Sequence, residues 1–459
     1  MQERLLRSAA GGRGPHNQRG NRHGLPLRRQ LLGRVFILIV FGAASVCAQT
    51  PQRLTLQQAE ALAVQNHPQI QAAQEEVAFA NEQIVINRAP YYPLVSGELT
   101  GSQGNDLSRI GAGDLSASRL FDRVGQGVIV TQLITDSGRT PNLVASARLN
   151  AQATSQTLNA TRYDVLLAVN RSYYDVLHSQ AVVKVAEQTV AARQTLADQV
   201  TELARNQLKS QLDVSFADVT VSEAKLLLIN AQQNVQQAFA ELGRALGSDQ
   251  PANYALVDEP LPPGPPTTPD DLVAQALNNR PELASLRSAR DSAYRFFEAE
   301  KDLSRPTVSA VAVGGAIPYI NSPVNSPVPA GYEGVAANVS IPVFNGHLFS
   351  ARREAARQHA LEADQKLRDQ QERIARDVRV AWAATITAFQ RIDVTAEFLR
   401  EAHLALELAE GRFNLGLSSI VELTQAQLNL TQADIENVNA KYDYQNQNAT
   451  LQYMMGALR

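Results

Sequence analysis

Two stretches of about 65 residues, 143–207 and 350–414, lack proline, and neither contains glycine before Gly411. Proline and glycine are the residues that most disfavour a helix interior, so each stretch is predicted to be one continuous helix. At 1.5 Å per residue such a helix reaches about 98 Å, far beyond the usual globular length. The chain is therefore constrained to an elongated fold in which these helices pack along much of their length.

Both predicted helices carry a seven-residue repeat, and the two repeats are offset by 209 residues. The first seam is Val169, Val176, Val183, Val190, Ala197 and Ala204, and the second is Val378, Thr385, Ile392, Leu399, Leu406 and Phe413. A sustained seven-residue period is typical of supercoiled helices in coiled-coil contact. The second helix also has a lane of small residues, namely Ala381, Ala388, Thr395, Ala402 and Ala409. Two lanes favour a ring of helices, with a buried helix of a large bundle as the alternative.

The long helices belong to a unit that occurs twice. Residues 55–68 read TLQQAEALAVQNHP and residues 268–281 read TPDDLVAQALNNRP. We therefore predict two repeats, at 54–250 and 268–458, joined by an extended proline-rich linker at 251–267.

Each repeat is predicted to begin with a helical stretch, roughly 55–88 in the first and 269–302 in the second. Each stretch is expected to break at a proline, Pro68 or Pro281, because proline cannot continue a helix from its interior.

Two segments with strand character follow in each repeat. In the first repeat the polar Ser96, Glu98 and Thr100 alternate with Val95 and Leu99. In the second, one predicted strand begins at Thr307, a Gly/Ser/Asn-rich interval follows near 315–331, and the next strand keeps one apolar face from Val335 through Ile341 to Val343. Four strands cannot close a barrel alone, and an open sheet is not tolerated in lipid. The strands thus indicate either a soluble sheet or an oligomer that shares one barrel.

The N-terminus has the features of an export signal. Residues 1–48 contain eight arginines and one acidic residue, then a 12-residue apolar run, then the small-x-small site Val46-Cys47-Ala48. This pattern predicts a cleaved signal peptide over 1–48 and a mature chain that starts at Gln49. Acylation of Cys47 is the alternative, although Val46 stands where lipoprotein signals have a small residue.

The charge and the rare residues exclude several function classes. Loss of residues 1–48 removes eight of 42 basic and one of 45 acidic residues, which leaves a net charge of about −10 and disfavours nucleic-acid binding. The apolar run is shorter than the ~20 residues of a spanning helix. Cys47 is the single cysteine, and no H-E-x-x-H motif occurs. We predict no catalytic, cofactor or metal site.

These features together resemble the TolC-like outer-membrane efflux proteins (outer membrane factors), over about residues 54–458. The most specific parts are the paired Asn66-His67-Pro68 and Asn279-Arg280-Pro281, the strand ends QLITDSGR (132–139) and SIPVFNGH (340–347), and the helix reversal FNLGLSSIVEL (413–423).

The resemblance implies a mainly α fold with membrane β-structure. Three chains would share a 12-stranded outer-membrane β-barrel, four strands from each, continued by a long periplasmic α-helical barrel. The implied function is a passive conduit of a tripartite efflux or type I secretion system in a diderm bacterium. Its partners would be a periplasmic adaptor, an inner-membrane transporter and outer-membrane lipid. The alternative is a periplasmic coiled-coil adaptor or scaffold that does not span the membrane.

The resemblance also implies roles for residues at the helix reversals. The candidates for a periplasmic aperture are Glu422, Gln425 and Asp213. The candidates for adaptor contact are Lys209, Gly416 and Ser418, with Lys209 at the place where the family often has glycine. The seam residues expected to pack the helices are Val169, Val183, Val190, Val378, Ile392, Leu399, Leu406 and Phe413.

Overall fold

The computed structural model describes residues 52–103, 122–248, 254–266, 268–321 and 331–458. The predicted signal peptide at 1–48, with Cys47, and the predicted N-terminus at Gln49 lie outside the described residues.

The two repeats have matching element orders. The first contains β1 (Gln52–Leu54), α1 (Leu56–Asn66), α2 (Pro68–Arg88), a 3₁₀ turn (Ala89–Tyr91), β2 (Leu94–Ser102), β3 (Asp122–Thr135), α3 (Arg139–Arg205) and α4 (Gln211–Leu246). The second contains β4 (Tyr254–Leu256), α5 (Asp270–Asn279), α6 (Pro281–Asp302), β5 (Thr307–Asn321), β6 (Gly331–Ser340), α7 (Leu348–Asn414) and α8 (Ile420–Met454).

The predicted long helices are confirmed as α3 and α7, each of 67 residues. Both begin a few residues earlier than predicted, because left-handed residues turn the chain directly from the sheet into the helix. Gly138 has φ 110° and His347 has φ 68° immediately before the first helical residue. The predicted breaks are also confirmed, since Pro68 and Pro281 open α2 and α6 as the first helical residue.

The four longer strands form one antiparallel sheet in the order β2-β3-β5-β6. The central β3–β5 pairing joins the two repeats. The prediction that the last strand continues to Val343 is wrong: β6 ends at Ser340, and Pro342 has no N–H to donate to a ladder. β5 continues to Asn321, into the interval predicted to be a Gly/Ser/Asn-rich connection.

The sheet has two chemically different faces. Directly paired residues share a face, so Ser96, Glu98 and Thr100 lie on one side with their partners. Val95 and Leu99 lie on the other side, exposed at 61% and 78%. The edges β2 and β6 have no described partner strand on their outer sides.

A separate core lies midway along the long helices. β1 and β4 pair in parallel, and the buried Tyr173 of α3 fixes both, with its hydroxyl 2.9 Å from the Leu54 carbonyl and 2.7 Å from the Val257 carbonyl. The linker continues along the helices, where Tyr444 donates to the Pro263 carbonyl (2.6 Å) and Trp382 donates to the Pro266 carbonyl (2.8 Å).

A buried carboxylate lies between the repeats where the sheet meets the helices. The buried Glu300 of α6 accepts two hydrogen bonds from Arg352 of α7, at 2.7 and 2.9 Å. Arg139 of α3 lies 3.8 Å from the same carboxylate. Glu300 thereby links the first turns of both long helices.

Among the described residues, none of the helices combines the length and apolar character needed to cross a membrane.

Candidate functional site at the helix-hairpin tips

The hairpins α3–α4 and α7–α8 reverse about 100 Å along the helices from the sheet. The residue in the left-handed conformation is Gln207 in the first tip (φ 61°) and Gly416 in the second (φ 73°). These positions are related by the 209-residue offset of the seams. The placement of Lys209 at the glycine position is therefore wrong: Gln207 occupies it, and Lys209 corresponds to Ser418.

Both return helices are capped by serine. Ser210 caps α4, and its hydroxyl accepts from the Asp213 backbone N–H at 3.2 Å while its own backbone N–H donates to the Asp213 carboxylate at 2.9 Å. That backbone hydrogen bond, aided by the Ser210 hydroxyl, lowers the pKa of Asp213. Ser419 caps α8 through its hydroxyl alone, which accepts from the Glu422 backbone N–H at 3.4 Å. The serine–acid spacing at both tips is thus an N-cap signal.

The three aperture candidates have local partners. Besides the capping contacts of Asp213, the Glu422 carboxylate pairs with Arg412 at 3.1 Å. The exposed Gln425 side chain donates to Asn429, one turn further along α8, at 3.0 Å. These contacts define where the side chains lie, and the aperture role of all three stays a prediction.

The adaptor-contact candidates lie together at the tips. The Lys209 ammonium lies 4.3 Å from the centroid of the Phe413 ring, so the first tip contacts the second hairpin. Gly416 faces open space. The Ser418 hydroxyl oxygen is enclosed and has no hydrogen-bond partner among the described residues.

One apolar cluster fills the space between the two tips. Its buried members are Leu196, Ala197, Val200, Val214, Ala217, Val221, Ala409, Phe413, Ile420, Leu423 and Ala426. Leu406 and Ala204 pack against it while partly exposed. We call this set the tip core; it holds the two hairpins together.

The seam residues differ in burial. Val169, Val378 and Phe413 are buried, whereas the remaining candidates are half-buried, namely Val183, Val190, Ile392, Leu399 and Leu406. The small lane of α7, by contrast, is buried at all five positions. Small side chains allow helices to approach closely. Because these residues are buried within a single chain, the lane faces other helices of the same chain. The packing role assigned to the half-buried seam residues stays a prediction.

Sequence reasoning missed the exposed apolar residues at the tips. Leu208 and Leu417 occupy equivalent positions and are exposed at 69% and 67%. Leu212 and Val421, also equivalent, are exposed at 64% and 59%, and Leu415 is exposed at 75%. The sequence signal that could have identified this surface is a leucine outside the heptad seam at equivalent positions of the two tips, Leu208 and Leu417. Such a patch on a helix end is typical of a protein-binding surface.

The family model for "outer membrane efflux protein" matches residues 60–248 and 272–457. The chain belongs to the outer membrane efflux protein family. The two matched segments coincide with the two repeats seen in the fold, and members of this family are channel proteins rather than enzymes. Within the described residues, no group of three or more His, Cys, Asp or Glu could hold a metal ion.

The chain is similar to several curated family members. It is 27% identical to protein CyaE of Bordetella pertussis over 388 residues, which is 82% of this chain and 78% of that protein. It is 22% identical to outer membrane protein TolC of Escherichia coli (strain K12), covering 84% of this chain and 78% of TolC.

Solved structures share the fold. A membrane protein from Pseudomonas aeruginosa superposes with a TM-score of 0.75 at 19% identity, over 87% of this chain and 93% of that one. The CusC channel gives a TM-score of 0.73 at 19% identity, over 87% and 92% of the two chains. The chain therefore has the two-repeat fold of TolC-like outer-membrane channels.

Proposed function

We propose that this protein is a passive outer-membrane conduit of a tripartite efflux or type I secretion system. One observation carries the proposal: an open four-stranded sheet, more polar on the face of Ser96, Glu98 and Thr100 than on the face of Val95 and Leu99, leads directly into two 67-residue helices. A single copy cannot satisfy the sheet edges in lipid, whereas three copies would close a 12-stranded barrel. The polar face would then line the lumen and the apolar face would contact outer-membrane lipid.

Exposed apolar residues on the helices support a homotrimer. On α4 these are Phe216, Val219, Leu226 and Ile229, and on α7 they include Val380, Val394 and Leu408. Large apolar surfaces of this kind are normally covered by a partner. Neighbouring copies would cover them in a periplasmic ring of helices.

The tips are proposed to bind a periplasmic adaptor, which in turn connects the conduit to an inner-membrane transporter. The exposed apolar pairs Leu208/Leu417 and Leu212/Val421 support this, because they repeat in both hairpins and project beyond the tip core. Lys209, Gly416 and Ser418 lie among them. The proposal includes export by cleavage of residues 1–48 and an aperture near Asp213, Glu422 and Gln425.

The names of relatives indicate the range of cargo within the family. CusC of Escherichia coli O157:H7 is a cation efflux system protein, and SrpC of Pseudomonas putida is a solvent efflux pump outer membrane protein, at 22% and 23% identity to this chain.

Membrane fractionation and bilayer recording test the proposal. The purified protein should come from the outer-membrane fraction, migrate as a heat-modifiable trimer and form channels in planar bilayers. Recovery as a soluble periplasmic protein without channel activity would favour the adaptor or scaffold alternative.

Site-specific crosslinking tests the orientation. A photo-crosslinker at Leu417 or Ser418 should capture the adaptor in intact cells. A crosslinker at Asn105, which lies outside the described residues between β2 and β3, should not. Adaptor capture only from Asn105 would contradict the proposed orientation.

A further inference from the structure

A cavity of about 320 Å³ lies between the two hairpins, next to the tip core. α3 forms one wall, and α7 and α8 form the others. Leu406 and Leu430 give it an apolar surface, while Gln427, Asp434 and Arg193 bring polar groups to it. The seam and the capping contacts do not require these polar groups, so their presence needs a separate explanation.

Gln427 lacks the partner that burial would demand. Gln427 is only 8% exposed, and its side-chain amide oxygen is enclosed without a hydrogen-bond partner among the described residues. Leaving a buried amide oxygen without a hydrogen bond is unfavourable, because the oxygen has lost its contact with water and gained nothing in exchange. A ligand group that bonds to Gln427 would recover that free energy.

Asp434 lies on the same face of α8, seven residues further along. Seven residues correspond to about 10.5 Å along a helix, so the two groups sit at opposite ends of the cavity. Burial raises the pKa of Asp434, and the nearby His403 only partly opposes this shift. No hydrogen bond to the Asp434 carboxylate is made within the described part of the chain.

Two other ionisable side chains, Arg193 and His403, line the cavity. Arg193 is 4% exposed, and its Nη1 donates to the Thr220 carbonyl at 3.2 Å and to Glu223 at 3.4 Å. Its Nε is enclosed without a hydrogen-bond partner among the described residues, while the Nη1 contacts direct the other end of the guanidinium toward α4. Asp434 is the one acidic residue among those that line the cavity, so its carboxylate is the group with which an organic cation can pair.

We propose that this cavity binds a small organic cation. Its ammonium group lies against Asp434, its apolar body lies against Leu406 and Leu430, and a hydroxyl or amide group at its far end bonds to Gln427. The ligand contacts α3 of one hairpin and both helices of the other, so binding holds the hairpins in this arrangement. The site is independent of the proposed conduit, because binding is measured on the purified protein without transport.

Tyramine is a suitable probe, since its ammonium and phenol groups stand at the two ends of a flat apolar ring. Saturation-transfer NMR on the full-length protein in detergent should detect tyramine binding. 4-Ethylphenol, which lacks the ammonium group, should bind at least about tenfold more weakly, equivalent to ~1.4 kcal/mol. Phenethylamine, which lacks the hydroxyl, should bind with intermediate affinity.

Three variants locate the site. Asp434→Asn keeps the shape and should weaken tyramine binding on the order of tenfold. Gln427→Leu should lower the affinity for tyramine to that for phenethylamine and leave phenethylamine unchanged. Asp218→Asn, at an exposed carboxylate of α4, is the matched control and should leave binding unaltered.

Three results would overturn the proposal. The first is that the unaltered protein shows no tyramine binding up to about 10 mM, a concentration far above the range of ordinary specific binding. The others are equal affinity for tyramine and 4-ethylphenol, and equal tyramine affinity in the unaltered protein and in Asp434→Asn. The result expected for Gln427→Leu compares tyramine with phenethylamine and does not depend on Asp434→Asn. If one of these two variants fails to fold, the other still tests the proposal.

Discussion

Gln207 and Gly416 hold the same left-handed backbone conformation, one at each hairpin tip. The hydrogen bonds around them match as well: Leu208 N–H donates to the Leu203 carbonyl at 2.9 Å, and Leu417 N–H donates to the Arg412 carbonyl at 2.8 Å. This is the closing pattern of a helix that ends in a left-handed residue. The first tip makes this turn without glycine, so its backbone carries strain that the second tip avoids.

We expect Gly416→Ala to destabilise the second tip by about 1–2 kcal/mol, the cost of a left-handed conformation with a side chain. Gly411→Ala is the matched control. Gly411 lies within α7 and faces open space, so alanine there should stabilise the helix by up to ~1 kcal/mol. Thermal unfolding combined with limited proteolysis at the tips measures both effects. A destabilisation of equal size in the two variants would contradict the role given to the turn.

Leu406→Ala should loosen the tip core and favour an open periplasmic end. Leu406 is half-buried against that core, so we expect the truncation to lower the stability of the tip by about 1–2 kcal/mol. Truncation of a fully buried leucine typically costs ~2–5 kcal/mol. Single-channel conductance should rise while assembly stays normal. Glu407→Ala, at the exposed neighbouring residue of the same helix, is the control. Unchanged conductance for Leu406→Ala would show that this contact does not hold the mouth closed.

Glu300→Gln should destabilise the junction between sheet and helices. Loss of the charge weakens the two hydrogen bonds from Arg352, whose side chain is 44% exposed and can be hydrated, so we expect a cost of about 1–3 kcal/mol. Glu298→Gln removes an exposed pair with Lys301 and should cost less than ~1 kcal/mol. The yield of folded protein and its thermal midpoint report both. If the two variants behave alike, the buried Glu300 carboxylate is not what stabilises this junction.

A tyrosine lies across two glycines on the polar face of the sheet. Gly127 pairs with Gly315, which pairs with Tyr332, and a Cβ atom on either glycine would overlap the Tyr332 hydroxyl. We expect Gly127→Ala to reduce the yield of heat-modifiable protein.

The same change should be nearly neutral when combined with Tyr332→Ala, because the clash is then absent. This is a double-mutant cycle with a large coupling. Additive effects of the two changes would mean that Gly127 is needed for another reason, such as strand pairing.

Much of the tip could be anticipated from neighbouring residues in the sequence. Ser210 with Asp213 and Ser419 with Glu422 are cap patterns that depend on local spacing alone, and the structure forms both caps. The glycine position in the first tip was misplaced because Gln207 gives no compositional sign of a left-handed turn. Only the backbone angle identified it.

The two repeats, the long unbroken helices and the breaks at Pro68 and Pro281 can all be predicted from the printed residues, because each follows from local periodicity or from the chemistry of proline. The pairing of β3 with β5, the burial of the small lane of α7 and the partial exposure of Leu406 become visible only once the chain is folded. It also placed Gln427 and Asp434 in a cavity against α3. These features depend on contacts between residues far apart in the chain, and a periodic pattern shows which face of a helix is apolar without showing which neighbour will cover it.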